Sequence, residues 1–483
     1  MSSEIKNLAP ERVWNYFYDL TQIPRPTGHM DAVTAFVAGF GRRLGLETLR
    51  DKVGNVLIRK AASRGKEACR TIILQSHLDM VPQKNHSVDH NFLTDPIEAS
   101  IEGDWVIARN TTLGADNGIG VALAMAVLAD NELRHCPIEA LFTVDEEVGM
   151  DGAFGLKADF LRGRTLINCD SEEEGRLFVG CAGGMDMNIS FRFKDDIAVG
   201  GQAVELSLTG LKGGHSGVDI HLGRANANKL MFRFLKEVVA GCGARLASID
   251  GGSMRNAIPR EAFAVIIVPE DMAGILSDKV SECQDIYRAE YASVDPGIQF
   301  TARRVDMPSS LIPVEVQDDL INAVEACRNG VASMLHDFPG TVESSSNLAI
   351  VTSSPGMIEI KILVRSSSGS RKTALCSALD SVFRLAGAKV ETGGSYNGWQ
   401  PDIDSPILRL MKQTYLDIYG VEPEARVMHA GLECGIIQGI YPDMDMISIG
   451  PDLRSPHSPG ECVNAPSVER VWRFLCAALE RAE

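Results

Sequence analysis

Thr71-Ile-Ile-Leu-Gln-Ser-His-Leu-Asp-Met80 is the stretch on which the reading of this chain turns. Thr71 to Ser76 has the β-branched and apolar content of a short buried strand. It runs into His77 and, two residues on, Asp79. Side chains alternate along extended backbone, so the imidazole and the carboxylate leave the strand end on the same side. A carboxylate so placed suits the orienter of a ligating histidine, fixing its tautomer and raising its basicity. A His-x-Asp pair alone is more often an ordinary polar strand end. The pattern downstream makes this one a candidate.

Reading outward, other apolar runs end in the same way. Ile138 to Val144 leads into Asp145-Glu146-Glu147-Val148-Gly149, and Leu166 to Cys169 leads into Asp170. Asp445 to Gly450 leads into the proline-bounded loop Pro451 to Pro459, which carries His457. Asn110 to Gly120 is a glycine-containing loop feeding a helix that reaches about Asp130, with small residues at Ala122, Ala124 and Ala126 for close packing. Asp116 sits at the start of that helix, where an aspartate is ordinarily a cap or turn residue. Three acids in a row are usually a solvated face. A charge run directly after a buried strand is less expected to be one. In an open α/β sheet, ligands gather at the carboxyl ends of the strands. Metal-capable side chains at so many strand ends and at one helix start point to a single site.

The 483 residues leave room for two or three domains and a large core. Hydrophobic residues make up 45% and charged residues 23%, as in an ordinary globular protein. The net charge of −17 argues against nucleic-acid and anionic-membrane partners. No apolar run approaches the roughly 20 residues of a membrane span. Met-Ser-Ser-Glu-Ile-Lys at the N-terminus lacks the apolar segment of a signal peptide. Eleven scattered cysteines with no Cys-x-x-Cys pair read as reduced thiols of a cytoplasmic protein.

Amphipathic spacing predicts helices over Pro10–Leu20 and Asp31–Leu44, with a strand at Val53–Arg59. Gly180–Gly184 reads as a hinge, paired with one near Gly393–Gly394. Between them the expected order is strand Met185–Phe193, strand Val204–Thr209, helix Arg224–Val239, strands Arg245–Asp250 and Ala262–Val268, helix Pro269–Ala289 and strand Gln299–Arg304. Helix Val314–Met334, strands Val342–Val351 and Met357–Arg365, helix Arg371–Ala386 and strand Lys389–Thr392 follow. The middle set is β-α-β-β-α-β, a ferredoxin-like unit. The remainder makes a second unit if Met185–Phe193 supplies its first strand. The expected architecture is therefore α/β. A discontinuous catalytic domain (1–184 and 394–483) carries a mixed sheet flanked by helices. An inserted α+β lid (185–393) is made of two ferredoxin-like units, the second inserted at 203–305.

His77, Asp116, Glu147, Asp170 and His457 are two imidazoles and three carboxylates, a donor set for Zn²⁺, Co²⁺ or Mn²⁺ rather than Ca²⁺. Five ligands exceed one open catalytic zinc site and suit two divalent metal ions roughly 3.5–4 Å apart, sharing a carboxylate and a water. Of the adjacent acids, one can turn to metal while the other serves as general base. Neither a Gly-x-Ser-x-Gly elbow nor a phosphate loop is present. Metal-assisted hydrolysis is the reaction class these residues favour.

Ser76-His-Leu-Asp-Met-Val-Pro82, Gly114-Ala-Asp-Asn-Gly118, Asp145-Glu-Glu-Val-Gly149, Asn168 to Gly175, Gly213-Gly-His-Ser-Gly217, His429-Ala-Gly-Leu-Glu433 and Gly450 to Pro459 together resemble the aminoacyl-histidine dipeptidase (Xaa-His dipeptidase) family of the di-zinc metallopeptidase clan. The resemblance runs nearly the whole chain. It implies hydrolysis of small dipeptides, preferring Xaa-His and including β-alanyl-histidine. It also implies His77 and Asp170 on one metal, Glu147 and His457 on the other, and Asp116 bridging through a cis bond to Asn117. Glu146 is implied as the base, Asp79 as the orienter of His77, and His215 as an oxyanion donor. In the nested-unit reading His215 serves its own chain, in a monomer or a homodimer. Asn256, Arg365 and Gly431 are implied as substrate contacts, Arg365 pairing a peptide carboxylate. Aminoacylase, desuccinylase and tripeptidase chemistry share the same catalytic set. A non-catalytic binding protein on this fold would be expected to have lost Glu146 or a ligand.

Overall fold

The computed structural model describes residues 2–483. The chain folds as two compact units. One contains the chain up to Gly180, Trp399–Val427 and Leu432–Glu483; the other contains Cys181–Gly398 and the tetrapeptide Met428–Gly431. The sequence placed these crossings at 184 and 394.

The first unit is built on an eight-stranded mixed sheet. Its order is Glu47–Arg50, Val56–Lys60, Ile138–Thr143, Ile72–His77, Thr165–Asn168, Asp445–Ser448, Arg176–Cys181 and Glu424–Met428. The four central strands Ile138–Thr143, Ile72–His77, Thr165–Asn168 and Asp445–Ser448 run parallel. Ile72–His77 and Ile138–Thr143 are buried at every position, as strands covered on both faces must be. Helix Ala115–Ala129 is buried on all sides from Asn117 to Leu128, which its run of alanine, valine and leucine permits. A smaller four-stranded sheet, Leu453–Arg454, Cys462–Asn464, Trp105–Ala108 and Ala99–Glu102, closes the loop that carries His457 into a hairpin.

The second unit is built on a nine-stranded sheet whose main path runs Gln299–Arg304, Gln202–Thr209, Ala262–Val268, Arg245–Gly251, Val342–Ser354, Met357–Ser366, Gly183–Arg192 and Lys389–Tyr396. Numbered within each β-α-β-β-α-β set, this order is 4-1-3-2 followed by 2-3-1-4. These are two ferredoxin-like sheets joined edge to edge by the antiparallel contact of Asp250 with Thr352 and Gly251 with Val351. Alternate residues of each strand (Met187, Ile189 and Phe191; Val204, Leu206 and Leu208; Ile358, Ile360 and Ile362) join one core with residues such as Phe234, Leu235, Val280, Tyr287, Leu320 and Phe383 from the four helices. Each such side chain, fully buried, contributes roughly 1.5–3 kcal/mol.

Two expected elements differ. The helix predicted over Val314–Met334 ends at Ala326, and Gly330–Met334 is instead a strand paired with Val342–Ser354. The backbone leaves helical geometry at Cys327 (φ −65°, ψ 133°), and Gly330, at φ +89°, turns the chain into the strand. Lys229 Nζ donates to the freed carbonyls of Val324 (2.6 Å), Glu325 (2.8 Å) and Cys327 (3.2 Å). The segment read as a hinge at Gly180–Gly184 is strand on both sides of Ala182. Its glycines answer to close approach, since a Cβ on Gly183 would lie 2.4 Å from the Gly398 nitrogen.

All eleven cysteines are free thiols. Among the described residues, no helix is long and apolar enough to cross a membrane.

Candidate metal centre

His77 ends its strand, Glu146 and Glu147 follow the neighbouring strand, and Asp170 lies two residues past the third. Parallel strands place all of these at one carboxyl-terminal edge. Asp116 enters from the first turn of helix Ala115–Ala129, where its backbone (φ −79°, ψ 111°) departs from helical geometry, and it precedes a cis Asp116–Asn117 bond. His457 enters from the hairpin loop at φ +58°. Gly120 permits the approach of that helix, for a Cβ there would stand 2.4 Å from the carbonyl oxygen of Cys169.

Asp116 faces two imidazoles with its two oxygens. Oδ1 lies 3.0 Å from His77 Nε2, and Oδ2 lies 3.1 Å from His457 Nε2. His77 Nε2 is also 3.3 Å from Asp170 Oδ1, and His457 Nε2 is 3.0 Å from Glu147 Oε2. Three overlapping groups can each converge donor atoms on a metal ion: His77 with Asp116 and Asp170; His77 with Glu146 and Glu147; Asp116 with Glu147 and His457. The donor chemistry fits divalent cations, and so does the electrostatics. Among the described residues, no lysine or arginine pairs with Asp116, Glu147 or Asp170, and the buried Glu147 Oε1 has no hydrogen-bond partner. Carboxylates so buried and so close to one another require positive charge.

The titration of these groups reflects that crowding. Burial, with Asp116 and Glu147 adding to it against His77, pushes Asp170 up to about 6. Burial, then Asp170, Glu147 and Glu433, pushes Glu146 well above the usual carboxylate range, with His77 opposing. His457 rises to about 11 through its hydrogen bonds to Asp116 and Glu147.

Asp79 does more than the sequence suggested. Its Oδ1 is 3.4 Å from His77 Nδ1 and accepts from the Glu146 N–H at 3.0 Å. Its Oδ2 accepts from the Glu147 N–H (3.2 Å) and from Thr27 Oγ1 (2.9 Å). One carboxylate thus fixes both a histidine and the backbone of the acid pair. Burial alone would raise its pKa, but the His77 ring and the two N–H groups outweigh burial and hold Asp79 down at about 2, from an ordinary 3.8. A depressed carboxylate contributes stability that is present above its unfolded pKa and is lost as pH falls through the folded one. In the metal-free protein, Asp79→Asn is expected to cost about 2 kcal/mol at neutral pH and to flatten the loss of stability between about pH 4 and pH 2. Urea unfolding across that range measures both.

A second buried acid, Glu433, opens helix Glu433–Ile440. It accepts from Gln75 Nε2 and Thr143 Oγ1, both at 2.6 Å. Asn168 donates to Gln75 Oε1, so this chain ties together the three strands that lead into His77, Glu146–Glu147 and Asp170. Burial pushes Glu433 up to about 7. In the sequence it stands only as the end of the His429–Glu433 motif and of a loop expected to line the pocket, not as a tie between these strands.

The remaining predicted residues belong to the second unit and gather there. His215 pairs with Ala257 in a short ladder, and the Asn256 carbonyl accepts from the Ser216 N–H at 2.8 Å. His215 Nδ1 accepts from the N–H groups of Gly217 (3.2 Å) and Val218 (3.1 Å). Arg365 is buried. Nη2 lies 3.5 Å from His215 Nε2, Nη1 donates to the Tyr396 hydroxyl (3.1 Å), and Nε donates to Ser216 Oγ (3.4 Å). Gly431 ends the tetrapeptide Met428–Gly431, whose His429 Nε2 meets Ser345 Oγ at 2.7 Å.

The model of peptidase family M20/M25/M40 matches residues 73–481. A protein of Escherichia coli (strain K12) named cytosol non-specific dipeptidase is 44% identical over 479 residues, covering 99% of each chain. The crystal structure of aminoacylhistidine dipeptidase from Vibrio alginolyticus superposes with a TM-score of 0.91 at 42% identity, covering 100% of this chain and 99% of that one. Aminopeptidase PepT from Bacillus cereus, at 16% identity and a TM-score of 0.57 over 98% of both chains, shares the fold.

Proposed function

The chain belongs to peptidase family M20/M25/M40, and on that premise we propose a cytoplasmic dipeptidase with two divalent ions, hydrolysing small dipeptides with a preference for Xaa-His. The observation that carries the proposal is Asp116, whose two oxygens each face a different imidazole. His77 and Asp170 would hold one ion, Glu147 and His457 the other, and Asp116 would be shared. Zinc suits the mixed nitrogen and oxygen donors, with cobalt or manganese as substitutes. When bound, the ions supply Lewis-acid activation of water and of the scissile carbonyl.

The chain's own residues do the rest. Glu146, held in place through its N–H by Asp79, takes the proton of the attacking water and delivers it to the leaving amine. His215 donates to the oxygen on which charge develops. Arg365 receives the peptide carboxylate, with Asn256 and Gly431 as further substrate contacts. Arg365→Ala is expected to raise KM for dipeptides at least tenfold with a smaller change in kcat, as loss of a charge-assisted contact made in both ground and transition states requires. A lone kcat effect would count against that role.

The relatives' names divide on breadth, one being called non-specific and the other an aminoacylhistidine dipeptidase. The deciding experiment is hydrolysis of Ala-His, β-Ala-His, Ala-Ala, N-acetyl-Ala and a tripeptide, after chelation and again after adding zinc, cobalt or manganese. Metal-restored cleavage of the dipeptides, fastest for Xaa-His, is expected. Equal rates on Ala-His and Ala-Ala would remove the histidine preference and keep the dipeptidase. Cleavage of the acylated amino acid or tripeptide alone would remove the dipeptidase.

A further inference from the structure

Arg25, in Ile23-Pro-Arg-Pro-Thr-Gly28, has no part in the chemistry above, yet it is among the largest fully buried side chains of the protein. Its guanidinium makes no ion pair among the described residues. Nη1 donates to the carbonyls of Leu78 (2.9 Å) and Asp79 (3.1 Å), and Nη2 donates to the carbonyl of Gly114. Leu78 and Asp79 follow the candidate ligand His77, and Gly114 precedes the candidate ligand Asp116. A buried cation that meets only carbonyls is expensive unless a wider field offsets its desolvation. Here Glu461, Asp79, Asp116 and Glu147 supply that field.

The same segment reaches two more points of the site. Thr27 Oγ1 donates to Asp79 Oδ2 (2.9 Å), and the Gly28 N–H donates to Asp145 Oδ1 (2.6 Å). Glu461, four residues past His457, holds the loop of Asp116 by its other polar groups. Its Oε2 accepts from the N–H groups of Leu113 (2.8 Å) and Gly114 (2.9 Å), and its Oε1 accepts from the N–H of Asp116 (3.1 Å). Gly114 is thus gripped at its N–H by an anion and at its carbonyl by a cation. The fit is close, because a Cβ on either Gly114 or Gly118 would stand 2.6 Å from Arg25 Nη2.

We propose that Arg25 and Glu461 are positioning residues that clamp the loop Leu113–Asp116 from two sides. The Arg25 half fixes Asp116 against the strand end of His77. The Glu461 half fixes it against the hairpin of His457. Together they set the spacing of the two halves of the metal centre. The proposal rests on the di-metal reading. It needs the planar fork of arginine, since an ammonium offers no pair of fixed donors to reach carbonyls on two separate loops.

The test uses metal-free full-length protein titrated with Co²⁺, followed by bound metal and by the visible cobalt spectrum, with the metal-free melting temperature as a control for folding. Arg25→Ala, Arg25→Lys and Glu461→Gln are expected to stay folded and to bind cobalt roughly 10–100-fold more weakly, with an altered spectrum, as substitutions behind metal ligands do. Added guanidinium should restore Arg25→Ala, and the lysine variant should remain impaired. Parent-like cobalt affinity and spectrum in the folded variants would overturn the clamp. So would full repair by lysine, which would reduce Arg25 to a buried charge. If Arg25→Ala does not fold, the other two variants decide by the same criteria. Failure of the parent to bind cobalt would defeat the di-metal reading itself, and the clamp with it.

Discussion

Glu146→Ala is expected to retain its metal ions and to lose roughly 10²–10⁴-fold in kcat, the range that a positioned general base contributes. That loss corresponds to about 3–5 kcal/mol of transition-state stabilisation. The separation of metal binding from turnover follows from the geometry. Glu147, not Glu146, contacts His457 at 3.0 Å, so the ligand set proposed above survives the substitution. The backbone N–H of residue 146 still donates to Asp79, so the carboxylate behind His77 keeps its place. In the metal-free protein, burial and the neighbouring acids favour the neutral form of Glu146. On the di-metal proposal, two dications beside it would favour the ionised form, which the proposed reaction needs to accept a proton. Glu146→Gln, which keeps the shape and removes the basic oxygen, should be as inactive as the alanine variant. Metal content measured alongside kcat checks the claim. Activity within about tenfold of the parent would pass the base to another residue.

His77, Glu146–Glu147 and Asp170 were legible in the sequence because each closes a buried strand, and the alternation of side chains fixes where a residue just past a strand must point. The nested pair of ferredoxin-like units was legible from the order of its elements, and the 4-1-3-2 and 2-3-1-4 strand orders follow from it. The residues that hold the site together were less visible. Arg25 lies between two prolines in what reads as a helix break, and its acceptors are carbonyls 53 to 89 residues away. Glu433 is fixed by partners 290 and 358 residues distant. No local periodicity records contacts of that range. The strand Gly330–Met334 was missed for a different reason. Its residues continue the preceding helix in apolar content, and only the Asn329-Gly330 step marks the change. The edge strand Glu47–Arg50 escaped because it is short and partly exposed, with too little alternation to register.

Asp116→Ala is expected to remove metal as well as activity, and that distinguishes it from Glu146→Ala. Asp116 is the group common to both candidate clusters, His77 with Asp170 and His457 with Glu147. On the proposed bridging assignment, its deletion would take a ligand from each ion at once and remove the charge that would keep two cations close together. Bound metal should fall from the proposed two ions per chain to one or fewer, with kcat/KM reduced beyond the effect of the missing base in Glu146→Ala. The loop itself should hold its position, because Glu461 grips it through the N–H of residue 116 and through Leu113 and Gly114, none of which needs the lost carboxylate. Metal competes with protons at the two imidazoles, so uptake by the parent releases protons and strengthens as pH rises. The effect should be marked for His457, which Asp116 and Glu147 hold up at about 11. Without Asp116 that hold weakens, and the proton release on titration with zinc should shrink together with the stoichiometry. Calorimetry in buffers of different ionisation enthalpy measures both quantities in one experiment. Two ions per chain in a folded Asp116→Ala protein would show that neither ion depends on the shared carboxylate, and the bridging assignment would have to be abandoned.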